Sequence, residues 1–103
     1  MFKLCFFVPE SHVETAKTAI FNVGGGRLGD YDCCAWQTLG EGQFRPLTGS
    51  RPFIGKQDEV EHVQEYKVEI ICTDEVIESA VAALKLSHPY EDPAFEVYRL
   101  EDA

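Results

Sequence analysis

A chain of 103 residues that is 45% hydrophobic and 26% charged supports one folded domain over residues 1–103 and excludes wholesale disorder. Its formal net charge of −9, with no basic run to offset it, repels a phosphate backbone and excludes general nucleic-acid binding. The opening apolar run of MFKLCFFVPE stops at Pro9 and Glu10, far short of a membrane span. It also lacks the basic leader and cleavage site of a signal peptide, so a cytoplasmic protein without a membrane segment is expected.

Phe2, Leu4, Phe6 and Val8 alternate with Lys3, Cys5 and Phe7, the period of a strand with one strongly apolar face. Ser11 and Glu14 spell an S-x-x-E capping box, which predicts a helix start. Val13, Ala16, Ile20 and Val23 then share one helical face, and Asn22 and Gly24 suit the helix end. Aromatic-rich Tyr31 to Leu39 reads as a second strand, Gly40-Glu41-Gly42 as a tight turn, and Gln43 to Pro46 as a short ribbon folding back. Leu47 to Lys56, with Gly49, Pro52 and Gly55, keeps no periodicity and reads as a long loop. Strand pattern returns over Glu59 to Cys72. Asp74 and Glu75 then supply a cap and negative charge for a second helix, whose buried stripe is Val76, Ile77, Ala80, Val81 and Leu84. Pro89 bars continuation past His88, and Phe95 to Leu100 closes the chain as a strand.

The order β-α-β-β-α-β predicts an α+β fold: a ferredoxin-like sandwich with an antiparallel sheet and both helices on one face. The other face then carries Lys3, Cys5, Phe7, Lys67, Glu69, Ile71, Glu96 and Tyr98. That mixture is too apolar for plain solvent and too charged for a dry core, and it reads as a partly wet oligomer interface.

Gly24, Gly26 and Gly29 give the G-x-G-x-x-G spacing of a dinucleotide loop. Such a loop needs a strand before it and a helix N-terminus after it. Here a helix ends at the glycines, presenting carbonyls that repel phosphate, so the stretch reads as a helix cap and turn. Cys5, Cys33, Cys34 and Cys72 fall in strand-like segments and lack zinc spacing, so reduced apolar fillers are expected.

Two segments carry candidate chemistry. His88-Pro89-Tyr90-Glu91-Asp92-Pro93 is a stiff connector presenting an imidazole, a phenol and carboxylates. Its His88 and Glu91 are candidate ligands of a divalent metal ion, and backbone hydrogen bonding by His88 and Tyr90 is the plainer alternative. The loop from Phe44 and Arg45 to Phe53 adds aromatic rings and positive charge that suit an anionic ligand, an acidic neighbour or a neighbouring subunit. His12 and His62 have no patterned partner and read as solvated, and Ser11 reads as a cap, not a nucleophile.

GRLGDYDCCAW, GEGQFRPLTGSRPFIG and HPYEDPAFEVY resemble three successive motifs of the YqfO family, the Ngg-one-interacting-factor-three-like group. They match the domain that larger members carry inserted within a metal-binding hydrolase-like domain. HPYE-x-P also resembles the corresponding turn of the CutA proteins, trimeric modules related to PII signalling proteins. The resemblance implies a CutA-like or PII-like fold, here as a stand-alone insert domain, and a homo-oligomer, trimer or dimer. It does not carry over the larger members' dinuclear metal site, whose ligands belong to the flanking domain, nor their cyclohydrolase label.

The function expected is therefore a non-enzymatic oligomeric module for a small ligand, a metal ion or a protein partner. Its candidate ligand or interface residues are Phe44, Arg45, Phe53, His88, Tyr90 and Glu91. The alternatives are an enzyme whose site assembles between subunits, from His88, Tyr90, Glu91 and Arg45, and an adaptor for a separately encoded hydrolase-like protein.

Overall fold

A computed structural model describes residues 1–102. Strand β1 (Phe2–Pro9) passes through a 3₁₀ turn (Glu10–His12) into helix α1 (Val13–Asn22). Strands β2 (Trp36–Phe44) and β3 (Glu61–Cys72) follow, then helix α2 (Ile77–Ser87) and strand β4 (Phe95–Arg99). The strands form one antiparallel sheet in the order β2-β3-β1-β4. With the helices packed on one face, this is the ferredoxin-like α+β sandwich that the element order predicts.

The alternation in β1 sets the layers. Phe2, Leu4, Phe6 and Val8 stand opposite Cys72, Ile70, Val68 and Tyr66. That row packs against Val13, Ala16 and Ile20 of α1 and Ile77, Ala80 and Leu84 of α2. Phe6, Leu4 and Ile20 are the largest fully buried side chains, and burying each contributes about 1.5–3 kcal/mol. On the opposite face Lys3 faces Ile71 and Tyr98, Cys5 faces Glu69 and Glu96, and Phe7 faces Lys67. The residues expected to share the uncovered face do share it. Cys5 is only 1% exposed there, because longer neighbours cover it.

The corrections fall mainly at element ends. Neither helix starts at its expected cap. The 3₁₀ turn winds ahead of α1, so Ser11 Oγ meets His12 Nδ1 at 2.7 Å instead of an orphan amide. In α2 the Thr73 carbonyl accepts from the N–H groups of Val76 and Ile77, while Asp74 pairs with the Met1 amino group. The apolar face of α1 ends at Ile20, and Val23 lies beyond the helix, 40% exposed.

The second strand begins at Trp36, not Tyr31. Leu28 and Tyr31 first close a small bridge, Cys33 takes a left-handed φ of 55°, and the Cys34 N–H donates to Gly26 O at 2.9 Å. Cys33 and Cys34 are therefore outside any strand, although all four cysteines are free thiols as expected. Gly40-Glu41-Gly42 is not a turn. Its residues lie inside β2 opposite Glu65, Gln64 and Val63, and pairing continues to Phe44 opposite Glu61, so Gln43 to Pro46 does not fold back. The Glu65 side chain fills the space beside Gly42 that a Cβ would take. This packing against β3 overrides the local turn propensity of the glycines.

Gly24 and Gly25 follow α1, donating their N–H groups to Phe21 O and Ile20 O, and the Gly26 N–H reaches Ile71 O at 2.8 Å. A Cβ on Gly26, at φ +75°, would stand 2.7 Å from the Cys34 carbonyl oxygen, whereas one on Gly29, at φ +57°, would meet open space. Gly26→Ala therefore combines left-handed strain with a backbone collision and is expected to cost about 2–4 kcal/mol. Gly29→Ala carries the strain alone, about 1 kcal/mol. Urea midpoints of the two variants measure the contrast, and equal losses contradict this account of the glycine turn.

Candidate functional site

The site grows from the end of α2. Proline at 89 cannot donate the next helical hydrogen bond and pushes the residue before it out of helical geometry. His88 accordingly takes φ −79° and ψ 139°, which turns its ring inward until it is 7% exposed. Its Nε2 meets the Phe7 carbonyl oxygen at 2.7 Å, and its Nδ1 accepts the Tyr90 N–H at 3.1 Å. A carbonyl on one nitrogen and an amide donor on the other assign the neutral tautomer with its proton on Nε2. Burial also holds the ring's pKa below the ordinary value. The Phe7 N–H meanwhile donates to Ala94 O at 3.2 Å, so both peptide groups of Phe7 are held by the connector 88–94.

That grip fixes Tyr90. Its ring lies 4.9 Å from His88, 5.7 Å from Phe44 and 6.3 Å from Phe53, centroid to centroid, and Phe53 meets His12 edge-on at 5.4 Å. The loop 45–60 is closed on itself by Asp58 N–H to Pro46 O at 2.7 Å. It is tied to the connector by the Arg51 N–H, which donates to Glu91 Oε1 at 2.8 Å.

Between loop and connector lies a cleft of about 410 Å³. Its walls include the rings of Phe7, Phe44, Phe53 and Tyr90, and its charged lining is Arg45, Glu65, Glu91 and Asp92. The Tyr90 hydroxyl is buried without a hydrogen-bond partner. Desolvation, followed by the adjacent Glu65 carboxylate, pushes its pKa far up, so the phenol keeps its proton at neutral pH.

The structure thus brings Phe44, Arg45, Phe53, Tyr90 and Glu91 onto one cleft, with His88 beneath Tyr90. His88 and Glu91 are committed to different backbone partners, and a metal on His88 requires one of its hydrogen bonds to break. Among the described residues no three His, Cys, Asp or Glu side chains converge as a metal site, so the residues present do not fit a bound divalent cation. Sequence reasoning missed Phe7, Glu65 and His12. Phe7 carried a signal, an aromatic ring on the otherwise polar face of β1, whereas Glu65 and His12 carried none. Ser11 and His12 are hydrogen-bonded, but among the described residues no carboxylate orients the imidazole as a hydrolytic triad requires.

Fold and cleft together define a ferredoxin-like α+β module. No family model matches the chain. It is 42% identical over 97% of its length to a protein of Halalkalibacterium halodurans named GTP cyclohydrolase 1 type 2 homolog, covering 27% of that protein. A solved Bacillus cereus protein related to NIF3 superposes with a TM-score of 0.84 at 31% identity, over 98% of this chain and 26% of that one. The PII-like protein CutA from Nostoc superposes with a TM-score of 0.70 at 18% identity, over 98% of this chain and 82% of that one. The chain's relatives are therefore proteins named GTP cyclohydrolase 1 type 2 homolog, of which it spans about a quarter of the length, and its fold is that of CutA. No helix is long and apolar enough to cross a membrane.

The buried neutral His88 sets a pH dependence. Its folded pKa lies below the ordinary 6.5, so the unfolded chain takes up a proton that the folded ring resists. The resulting stability is complete above pH 6.5 and is lost as pH falls towards the folded value. Denaturation at pH 7.5 and 5.5 should show wild type losing stability on acidification and His88→Gln losing less. At the higher pH the variant should be about 1–3 kcal/mol weaker, because the Phe7 carbonyl and Tyr90 amide lose their shared partner.

Proposed function

We propose that the chain is a non-enzymatic, homo-oligomeric binding module, a dimer or trimer acting as one unit over residues 1–103 in the cytoplasm. In this reading it is the YqfO-type module itself, and a small molecule occupies the cleft between loop 45–60 and connector 88–94. The observation that carries the reading is the cleft itself, about 410 Å³, within the range that small-molecule sites occupy. Its buried Tyr90 hydroxyl has only the neighbouring Glu65 carboxylate, without good hydrogen-bond geometry, and a ligand or water that accepted its hydrogen bond would offset the cost of burial.

Assembly is supported by the uncovered sheet face. Trp36 is 68% and Tyr98 47% exposed, and Trp36 stands opposite Glu69, which in turn faces Cys5. Phe7 and Glu65 line both the cleft and a second hollow on this face, beside Thr38 and Lys67. Subunits that meet on the face would border the ligand.

The ring-opening chemistry in the relatives' name belongs, in this reading, to the part of those proteins that the chain does not match. Strand pairing sets Phe2 beside Arg99 and Met1 O beside the Leu100 N–H at 3.0 Å. The two ends of the matched segment leave the sheet together, as an inserted unit requires.

Light scattering is expected to give a multiple of 11.6 kDa. A thermal-shift screen of small organic molecules should yield ligands that raise the melting midpoint. Phe53→Ala should weaken those ligands by about tenfold or more, as loss of an aromatic anchor does, while leaving the circular dichroism spectrum unchanged. A monomeric mass with no stabilising ligand contradicts the proposal, and so does turnover that His88→Ala or Arg45→Ala abolishes.

A further inference from the structure

We infer that the cleft's ligand is a small organic ammonium compound, held against the aromatic wall of Phe44, Phe53 and Tyr90 by the carboxylates of Glu65, Glu91 and Asp92. The inference rests on the binding reading above and names the ligand class of the same site.

Phe44 and Phe53 are tilted by 58° and 50° to Tyr90. The three rings pack on one another at 5.7 and 6.3 Å and together line one side of the cleft, and the ring faces that remain open to the cleft attract a positive charge placed against them. The charged lining is unbalanced: Glu65, Glu91 and Asp92 face a single guanidinium, that of Arg45. Arg45 is exposed, whereas Glu65 is half-buried. Among the described residues Glu65 makes no ion pair, and the Tyr90 hydroxyl lies beside it without a hydrogen bond of good geometry. A ligand N–H⁺ that donates to this unpaired carboxylate gains a charge-assisted hydrogen bond.

Competing ligand classes fit less well. An anion would enter against three carboxylates and against the chain's net charge of −9. A bare metal ion would gain nothing from apolar walls, and the described residues offer it no converging ligands. A neutral apolar molecule would leave Glu65 as it is.

The test titrates the ¹⁵N-labelled full chain with three probes of matched shape: 2-phenylethylammonium, neutral 2-phenylethanol and anionic phenylacetate. The backbone amides of Arg51 and Tyr90 report on opposite sides of the cleft. The ammonium probe is expected to bind about tenfold tighter than the alcohol, the scale of a cation among desolvated rings and a carboxylate. Glu65→Gln should erase most of that preference. Glu91→Gln, at an exposed position whose amide oxygen can still accept from Arg51, gives a second reading if Glu65→Gln does not fold, and should reduce the preference by about threefold. Alcohol or phenylacetate binding as tightly as the ammonium probe overturns the inference and leaves the binding reading standing. So does a preference that survives both substitutions. If none of the three probes moves the cleft amides, the binding reading falls as well.

Discussion

The site depends on how one residue's peptide groups are held. In a strand the N–H and C=O of a residue point to the same side. Those of Phe7 are taken by Ala94 O and by the His88 ring, one near each end of the connector. The two prolines at 89 and 93 reduce the freedom of the chain between these anchors, so little entropy is lost in forming the loop. With both ends pinned on β1, Tyr90 has one place to go, against Phe44 and Phe53. The imidazole succeeds here because it is neutral: it donates from one nitrogen and accepts at the other, and a protonated ring would have no acceptor for the Tyr90 amide.

Element type and order were legible because burial on one side leaves a period in the sequence. The alternation through Phe2–Val8 and Tyr66–Cys72, and the helical spacing of Val13, Ala16 and Ile20, reappear as the packed layers. What misled were residues whose local preference lost to a distant contact. Gly40 and Gly42 look like a turn only until Glu65 is known to lie beside Gly42. Ser11 looks like a helix cap only until a 3₁₀ turn is known to precede α1. Each competing contact comes from conformation or packing that a short window of sequence does not contain.

The cleft was legible in its walls and not in its floor. The connector announced itself through His88, Pro89 and Tyr90, and the loop through its missing periodicity around Phe53, and both line or underlie the same space. Glu65 sits in an ordinary alternating strand, and only the register that places it opposite Pro9 and Gly40 brings it to the cleft. His12, beside a residue read as a helix cap, is drawn in by the edge of Phe53.

Strand β3 outruns its neighbour. β1 pairs with it only as far as Glu65, opposite Pro9, while β2 continues alone from Gln64 to Glu61. This overhang lengthens a molecule measuring 46 × 24 × 24 Å. A two-stranded ribbon in water is marginal without further support, and the overhang's support is the packing of Phe44 on Tyr90 and the Arg51–Glu91 hydrogen bond. One continuous strand therefore spans two regimes of amide exchange. Its C-terminal half, whose Val68, Ile70 and Cys72 sit in the core, should open only with the whole molecule. The pairs from Gln64 to Glu61 should open more readily together with loop 45–60, and a ligand in the cleft would slow that opening along the arm.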